Sequence, residues 1–217
     1  PQGQGSTAGG RHRDVEIVVV DDASTDCSRD VIRRYADRVK VLFREHGGQL
    51  ASTNAGFAAC RGDAVIFLDA DDVLFADAVA RHAEKLADPM VVKSQGYLQM
   101  IDSAGRSTGG RVPIHLSPSG DYGARFAEYG PRACFGAFTS GNAWQRSFLE
   151  RVMPLPEQRV GMMGPDGYLG AIDAAFGRIE ALDAPVGQYR VHGKNIGPVR
   201  YRFDRNYLSA RLRGYEE

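Results

Sequence analysis

The stretch Phe67-Leu68-Asp69-Ala70-Asp71-Asp72 decides the fold, because an apolar run over residues 64–68 ends there abruptly in acid. A short apolar run bounded by polar residues is typical of a buried strand, and the run over residues 15–20 predicts such a strand in a parallel sheet. Three carboxylates at the tip of such a strand repel one another unless a cation or hydrogen-bond donors compensate them. Carboxylate oxygens favour hard divalent ions, so Asp69 and Asp71 predict a Mg²⁺ or Mn²⁺ site that binds substrate phosphates. The alternative is a turn that caps the next helix.

The same order of strand, acid and helix occurs earlier in the chain. An apolar run over residues 15–20 ends in Asp21 and Asp22, and a helix and a strand over 39–43 are predicted to follow. Further helices are predicted over 50–59 and 75–87. This order predicts an open, doubly wound α/β sheet whose ligand crevice lies off the carboxyl ends of the strands. Asp21 and Asp22 could there accept hydrogen bonds from a nucleobase or ribose; capping of the following helix is the alternative.

The carboxyl half has a different pattern. A strand over 91–101, a turn over 102–106 and a polar stretch to residue 120 predict antiparallel strands and a flexible loop for a second substrate. Trp144 could stack on an acceptor sugar ring, although a single aromatic before a helix more often lies in the core.

We expect one domain over 15–197, with a nucleotide-binding half (15–100) and an acceptor half (101–197). Residues 1–14 are Gly-rich and predict loop or disorder, and 198–217 predict a helical tail.

Charge and cysteine content narrow the class of protein. The 27 basic and 27 acidic residues balance, which argues against a nucleic-acid partner. Three separated cysteines fit a reducing compartment, and small buried residues are their simplest interpretation. No apolar run reaches the roughly 18 residues of a membrane span. We therefore expect a cytoplasmic protein, for which a homodimer and a peripheral position at the inner face of the membrane both stay open.

Several motifs follow one another in an order that identifies a family. In the first half they are Val18-Val19-Val20-Asp21-Asp22-Ala23-Ser24-Thr25-Asp26, Gly47-Gly48-Gln49, Asn54-Ala55-Gly56 and Phe67-Leu68-Asp69-Ala70-Asp71-Asp72. In the second half they are Ser140-Gly141-Asn142, Asp166-Gly167-Tyr168-Leu169 and Tyr189-Arg190-Val191-His192. The series resembles the inverting family 2 glycosyltransferases of bacteria, which have the Rossmann-like GT-A fold with a doubly wound mixed sheet.

The resemblance implies an activity and a set of site residues. It implies transfer of a sugar, with inversion and metal assistance, from a nucleoside diphosphate sugar to a saccharide or lipid-linked acceptor in cell-surface glycan assembly. Asp166 takes the position of the catalytic base. The implied donor contacts are Asp21, Asp22, Gln49, Asn54, Asp69 and Asp71, although Gln49 and Asn54 fit local capping equally well. The implied metal ligands are Asp69, Asp71 and His192, and the implied acceptor-side residues are Asn142 and Trp144.

The chain departs from the family pattern in two places. No apolar strand precedes residue 15, although the family usually opens with one, and Pro165 stands where a glutamate commonly precedes the base. Two rival functions stay open. One is a non-catalytic nucleotide-sugar-binding homologue. The other is a phosphatase of the haloacid dehalogenase type, whose nucleophile strand resembles Asp69-Ala70-Asp71-Asp72.

Overall fold

A computed structural model describes residues 15–157, 164–192 and 195 of the chain. The strands are β1 (Val18–Asp22), β2 (Lys40–Arg44), β3 (Ala64–Ile66), β4 (Val73–Leu74), β5 (Val91–Ile101), β6 (Ser107–Val112), β7 (Asn142–Gln145) and β8 (Arg178–Arg190). The α-helices are α1 (Ser28–Arg33), α2 (Gly48–Ala59), α3 (Ala78–Leu86), α4 (Gly123–Tyr129), α5 (Arg146–Val152) and α6 (Pro165–Gly170). Short 3₁₀ turns cover Gly130–Arg132, Thr139–Gly141 and Asp173–Ala175.

The strands form two sheets. β1 pairs with β2 in parallel, and a six-stranded mixed sheet has the order β3-β7-β5-β8-β4, with β6 also paired to β5. In that sheet β5 and β8 run parallel, whereas the β3–β7, β5–β7, β5–β6 and β4–β8 pairs are antiparallel. The predicted mixed α/β fold is confirmed. Within the described ranges, β1 hydrogen-bonds only to β2 and β3 only to β7.

Helix α2 connects the two sheets. Its alanine-rich sequence favours a helix, and Leu50 and Ala51 turn into the interior. Gly56 brings α2 close to β1, since a Cβ at this glycine would lie 3.4 Å from a methyl group of Val20. The β1 strand itself is mostly half-buried, so the prediction of a fully buried strand at this position is wrong.

Two predicted element boundaries are wrong, and hydrogen bonds explain both. The strand predicted over 64–68 ends at Ile66, and the backbone N–H of Asp69 donates to the Ser140 hydroxyl instead of to a neighbouring strand. The helix predicted from residue 75 begins at Ala78, because the N–H of Phe75 donates to the Val186 carbonyl next to β8. In both places a hydrogen bond to a distant part of the chain replaces the hydrogen bonds of the predicted strand or helix.

Strand β5 forms the centre of the molecule, since nearly all of its residues are buried. The main core cluster consists of Leu50, Val65, Val92, Trp144, Phe148, Leu149, Leu155 and Leu169. It holds α2, α5 and α6 together against the sheet. The acidic residues 69–72 and helix α6 therefore connect directly to rigid, packed elements.

Some predictions need correction or fall outside the described residues. Cys27 is exposed, Cys60 is half-buried and only Cys134 is buried, and all three thiols are free. Residues 1–14 and the predicted tail over 198–217 lie outside the part of the chain that the structure describes. Within that part, none of the helices has the length and apolar character needed to cross a bilayer.

Candidate active site

Asp69 lies in a crevice between α2 and the loop that follows β3. Its Oδ1 accepts a hydrogen bond from Gln49 Nε2 at 2.9 Å, and its N–H donates to Ser140 Oγ at 3.1 Å. Burial, together with the nearby charges of Asp72, Asp166 and Asp71, raises the pKa of the Asp69 carboxyl to about 7, against the opposing effect of the Gln49 hydrogen bond. Four carboxylates therefore lie within electrostatic reach of one another, as the acidic strand end predicts.

The end of strand β8 contacts the same acidic loop. His192 Nε2 lies 2.8 Å from Asp71 Oδ2, and the Arg190 guanidinium donates from Nε to the Asp71 carbonyl at 2.9 Å. The N–H of Arg190 donates to Asp72 Oδ1 at 3.0 Å. Asn195 closes the turn, since it accepts from the His192 N–H at 3.0 Å and donates to the Arg190 carbonyl at 2.7 Å. The structure thus brings His192 to Asp71, as the sequence predicts.

Asp166 lies in the first turn of α6, directly after Pro165. Burial raises the pKa of its carboxyl, while hydrogen bonds with the Gly167 amide and the Thr139 hydroxyl oppose that rise. The carboxylate and the Gln49 amide both lie next to Gly164, where a Cβ would be 2.9 Å from Asp166 Oδ1 and 3.3 Å from Gln49 Oε1. Gln49 therefore lies near both carboxyl groups, and Asp166 and Asp69 border the same crevice.

Asp22 is engaged by protein donors at the start of α2. It accepts from the N–H groups of Gly47 at 2.9 Å and Gly48 at 2.7 Å, and from Arg44 Nη1 at 2.5 Å. His46 Nδ1 is 2.9 Å from its second oxygen. Partial burial opposes ionisation, but these hydrogen bonds hold the pKa of Asp22 below its usual value. The carboxylate thus caps the start of α2 from a neighbouring strand, and its contact with a nucleotide stays a prediction.

Asp21 is turned inward, with 3% of its surface exposed. Its Oδ2 accepts from Arg29 Nε at 2.6 Å and from the Ser24 N–H at 3.3 Å, while its Oδ1 is buried without a hydrogen-bond partner. The hydrogen bond from Ser24 holds the pKa of Asp21 low, against the effect of burial. Nucleotide contact by Asp21 and Asp22 stays a prediction.

Three predicted ligand contacts are instead structural. Asn54 donates to the Leu155 carbonyl at 2.8 Å and accepts from the Leu155 N–H at 2.7 Å, so its amide joins α2 to a loop. Asn142 is 1% exposed and donates to the carbonyls of Ala137 and Phe138, which fixes the loop before β7. Trp144 is also 1% exposed and stacks on Phe148 at 5.7 Å between ring centroids, so its ring cannot receive a sugar.

The predicted metal ligands are only partly assembled. Among residues 15–157, 164–192 and 195, no three His, Cys, Asp or Glu side chains are arranged to hold one ion. Two observations nevertheless fit a cation here. In the described part of the chain, one oxygen of Asp72 is buried without a hydrogen-bond partner, and the Asp69 carboxyl is crowded by like charge. An oxygen-rich donor set of this kind suits Mg²⁺ or Mn²⁺.

Several residues of the site were not predicted from the sequence. Arg44 could have been found, because parallel pairing of the first two strands places it opposite Asp22. Thr139 and Ser140 gave no individual signal, since their hydroxyls acquire partners only when the loop before β7 folds against α6 and residues 69–72. Arg190 belongs to a motif at the end of β8, but its contacts with Asp71, Asp102 and Asn195 span three separate segments, which no local pattern reveals.

The fold and the crevice together define a class of protein. It is an α/β domain with acidic side chains in a crevice, and open α/β sheets commonly bind nucleotides in such a crevice. Residues 5–138 match the family model described as Glycosyl transferase family 2. The chain belongs to this family. The match favours the transferase interpretation over the phosphatase one.

Similar proteins agree with this assignment. An uncharacterized glycosyltransferase of Nostoc sp. is 36% identical over 188 residues, covering 85% of this chain and 58% of the relative. An undecaprenyl-phosphate 4-deoxy-4-formamido-L-arabinose transferase of Pseudomonas aeruginosa is 31% identical over 151 residues, covering 67% of this chain and 42% of the relative. The chain thus spans only part of the curated relatives that it matches.

The solved structure of S. aureus TarS, residues 1–349, has a similar fold. The TM-score is 0.55 at 20% identity, with 81% of this chain and 51% of the TarS chain covered. A TarS structure in complex with UDP-GlcNAc gives a TM-score of 0.56 at 17% identity, covering 90% of this chain and 55% of that one. The similarity supports the GT-A fold.

Proposed function

We propose that this chain transfers a sugar from a nucleoside diphosphate sugar to an acceptor hydroxyl in a single displacement with inversion. One observation carries the proposal: Asp166 lies in the same crevice as Asp69 and Gln49, although these residues come from distant parts of the sequence. A base and an acidic, donor-binding surface are the two components that such a reaction requires.

Asp166 would act as the general base. Its burial makes the carboxylate a better proton acceptor, while the Thr139 hydroxyl and its position in the first turn of α6 orient it. As the acceptor oxygen forms its bond to the anomeric carbon, its proton passes to Asp166. The bond from that carbon to the diphosphate breaks, and its electron pair leaves with the nucleoside diphosphate. No enzyme nucleophile is needed, so the sugar inverts.

The other side of the crevice would bind the donor. Gln49 holds Asp69 in place through its 2.9 Å hydrogen bond, and Arg190 fixes the backbone of Asp71. We propose that Asp69, Asp71 and His192 hold a Mg²⁺ or Mn²⁺ ion together with the donor diphosphate. When bound, the ion would neutralise negative charge on the leaving diphosphate. Asp21 and Asp22 remain the proposed nucleoside side of the site.

Relatives suggest which substrates to try first. The TarS complex with UDP-GlcNAc supports a UDP-sugar donor, and the undecaprenyl-phosphate transferases support a lipid-linked acceptor. We therefore propose cell-surface glycan assembly at the cytoplasmic face of the membrane as the setting.

A thermal shift panel tests donor binding. UDP, GDP and dTDP are each added to the chain with Mn²⁺ or with EDTA. A nucleotide at 100 times its Kd should stabilise the fold by about 2.7 kcal/mol. For a chain of this size we expect a Tm increase of roughly 5–10 °C, for one nucleotide and only with Mn²⁺. If none of these nucleotides changes the Tm, the proposal is wrong.

A non-catalytic binding homologue is the second candidate. Pro165 favours it, since the family that this sequence resembles commonly has a glutamate directly before the catalytic base. This alternative predicts a nucleotide-dependent Tm shift without release of nucleoside diphosphate from any nucleotide sugar.

A further inference from the structure

Lys93 and Asp173 form an ion pair deep in the interior. Lys93 Nζ lies 2.8 Å from Asp173 Oδ2, and the two side chains are 1% and 0% exposed. Charge burial is expensive, and replacement of a buried ion pair by apolar residues is often neutral or stabilising. Stability alone therefore gives little reason for charges at this position.

The pair lies where three segments meet. Lys93 projects from the central strand β5, and its ammonium lies 5.1 Å from the centroid of the Trp144 ring. Asp173 Oδ1 accepts from the Ala174 N–H at 2.6 Å and lies 3.8 Å from Cys134 Sγ. A Cβ at Gly136 would be only 2.8 Å from Lys93 Nζ, so this glycine leaves room for the ammonium. We call Lys93, Asp173, Cys134 and Gly136 the buried junction.

One arm of the buried junction leads to Asp166. Asp173 follows α6 without a break in hydrogen bonding, since the N–H of Ala171 donates to the Gly167 carbonyl and that of Ile172 to the Leu169 carbonyl. A shift of Asp173 would therefore be passed along this short helix to its first turn, which contains Asp166.

The other arm leads to the hydroxyl groups of the site. Cys134 and Gly136 precede the turn Thr139–Gly141. In that turn Thr139 hydrogen-bonds to Asp166, and Ser140 accepts from the Asp69 N–H. The buried junction thus contacts both segments that border the crevice opposite α2.

We propose that Lys93 and Asp173 are positioning residues for sugar transfer, which hold α6 and the turn Thr139–Gly141 in the arrangement that aims Asp166 into the crevice. This inference rests on the proposed role of Asp166. The ammonium also acts on the base directly, since its charge lowers the pKa of Asp166 and so partly offsets the effect of burial.

The double variant Lys93→Met/Asp173→Asn separates positioning from stability. It removes both charges, keeps similar side-chain volumes and retains an oxygen that accepts from the Ala174 N–H, so no buried charge is left unpaired and we expect a Tm close to that of the parent. Misplacement of a catalytic group by about 1 Å can cost roughly 100-fold in rate. With UDP-GlcNAc and Mn²⁺, we therefore expect kcat for UDP release to fall about 10- to 100-fold. KM should change by less than about twofold, because the donor surface is intact.

Hydrogen exchange provides a readout that does not require turnover. In the double variant, amides of residues 164–175 and 133–141 should exchange at least about tenfold faster, while those of α3 keep their protection. Faster exchange in both segments supports the inference even if the parent does not hydrolyse UDP-GlcNAc. Absence of hydrolysis by the parent would count against the proposed function alone. Unchanged exchange in both segments, or a kcat within about twofold of the parent at an unchanged Tm, would overturn the inference.

A second variant guards against misfolding of the first. Gly136→Ala keeps both charges but displaces the ammonium through its new Cβ, and it should lower kcat and loosen the same two segments. Lys85→Met is the matched control, since it removes a lysine whose ion pair with Glu180 lies near the surface, at 3.9 Å. Equal kcat and equal exchange for parent, Gly136→Ala and Lys85→Met would also overturn the inference.

Discussion

At the scale of residues, Asp69 lies where its negative charge is unfavourable for stability. Its carboxyl is partly buried beside three other carboxylates, and only the Gln49 amide hydrogen-bonds to it through a side chain in the described part of the chain. An arrangement of this kind is expected at a site that binds a cation or a ligand, because function and stability make opposite demands there. The conflict can be measured.

Asp69→Asn should stabilise the free protein at alkaline pH. The native pKa of about 7 exceeds the unfolded value of 3.8, so between these values the native state binds more protons and its stability falls as pH rises. Above pH 7 the ionised Asp69 lowers the free energy of unfolding by about 2–4 kcal/mol, whereas an asparagine at this position does not ionise. With EDTA present, the Tm of the variant should exceed that of the parent at pH 8.5 and converge with it near pH 4. Asp63→Asn, at an exposed carboxylate, is the control. A variant no more stable than the parent at pH 8.5 contradicts this account.

His82 should make the protein sensitive to mild acid. Burial lowers the pKa of its imidazole to about 4, Nδ1 lies 2.9 Å from Ser94 Oγ, and Nε2 is buried without a hydrogen-bond partner among the described residues. From pH 6.5 down to 4 the unfolded state binds a proton that the native state does not, so stability falls by up to about 1.4 kcal/mol per pH unit. Urea unfolding at pH 7, 6 and 5 should show a smaller slope for His82→Asn than for the parent. The exposed His115 provides the control as His115→Asn. Equal slopes for His82→Asn and the parent would contradict this prediction, because another group would then cause the loss of stability in acid.

At the scale of elements, α2 connects the site to the core. Its first amides bind Asp22, Gln49 reaches Asp69, and Asn54 binds Leu155. The sequence could predict the helix and its neighbouring strands, because apolar periodicity is a local property. It could not predict that Asn54 contacts a backbone rather than a nucleotide, because an asparagine in a helix gives the same local signal in both cases.

Asn54→Ala should destabilise the fold without weakening nucleotide binding. The substitution leaves both backbone groups of the buried Leu155 without their partner, at a cost of about 1–3 kcal/mol each. Chemical unfolding measures that loss, and titration of the folded variant with the nucleotide found in the panel should give the Kd of the parent. Ser52→Ala, on the same helix, removes a buried hydroxyl without a hydrogen-bond partner and should be neutral or slightly stabilising. A stable Asn54→Ala variant with weakened binding would restore the original nucleotide role.

At the scale of the whole molecule, apolar runs followed by acidic residues predicted the order of the first strands, whereas the role of Asp166 is implied by the family resemblance and stays a prediction. Those signals are short motifs with a direct chemical meaning. The buried junction and the hydroxyls of Thr139 and Ser140 were not predictable, because each depends on contacts between segments far apart in the chain. Trp144 shows the same limit, since only the folded sheet determines whether an aromatic ring faces the core or a ligand.

The central claim is that Asp166 removes the acceptor proton in a transfer from a nucleotide sugar. Its most direct test compares parent and Asp166→Asn for nucleoside diphosphate release and for donor Kd, with the donor selected by the panel and Mn²⁺ present. We predict that kcat falls by about 100-fold or more, as for loss of a general base, while the Kd stays within about twofold. Undiminished turnover by Asp166→Asn, or loss of donor binding together with turnover, would contradict the claim.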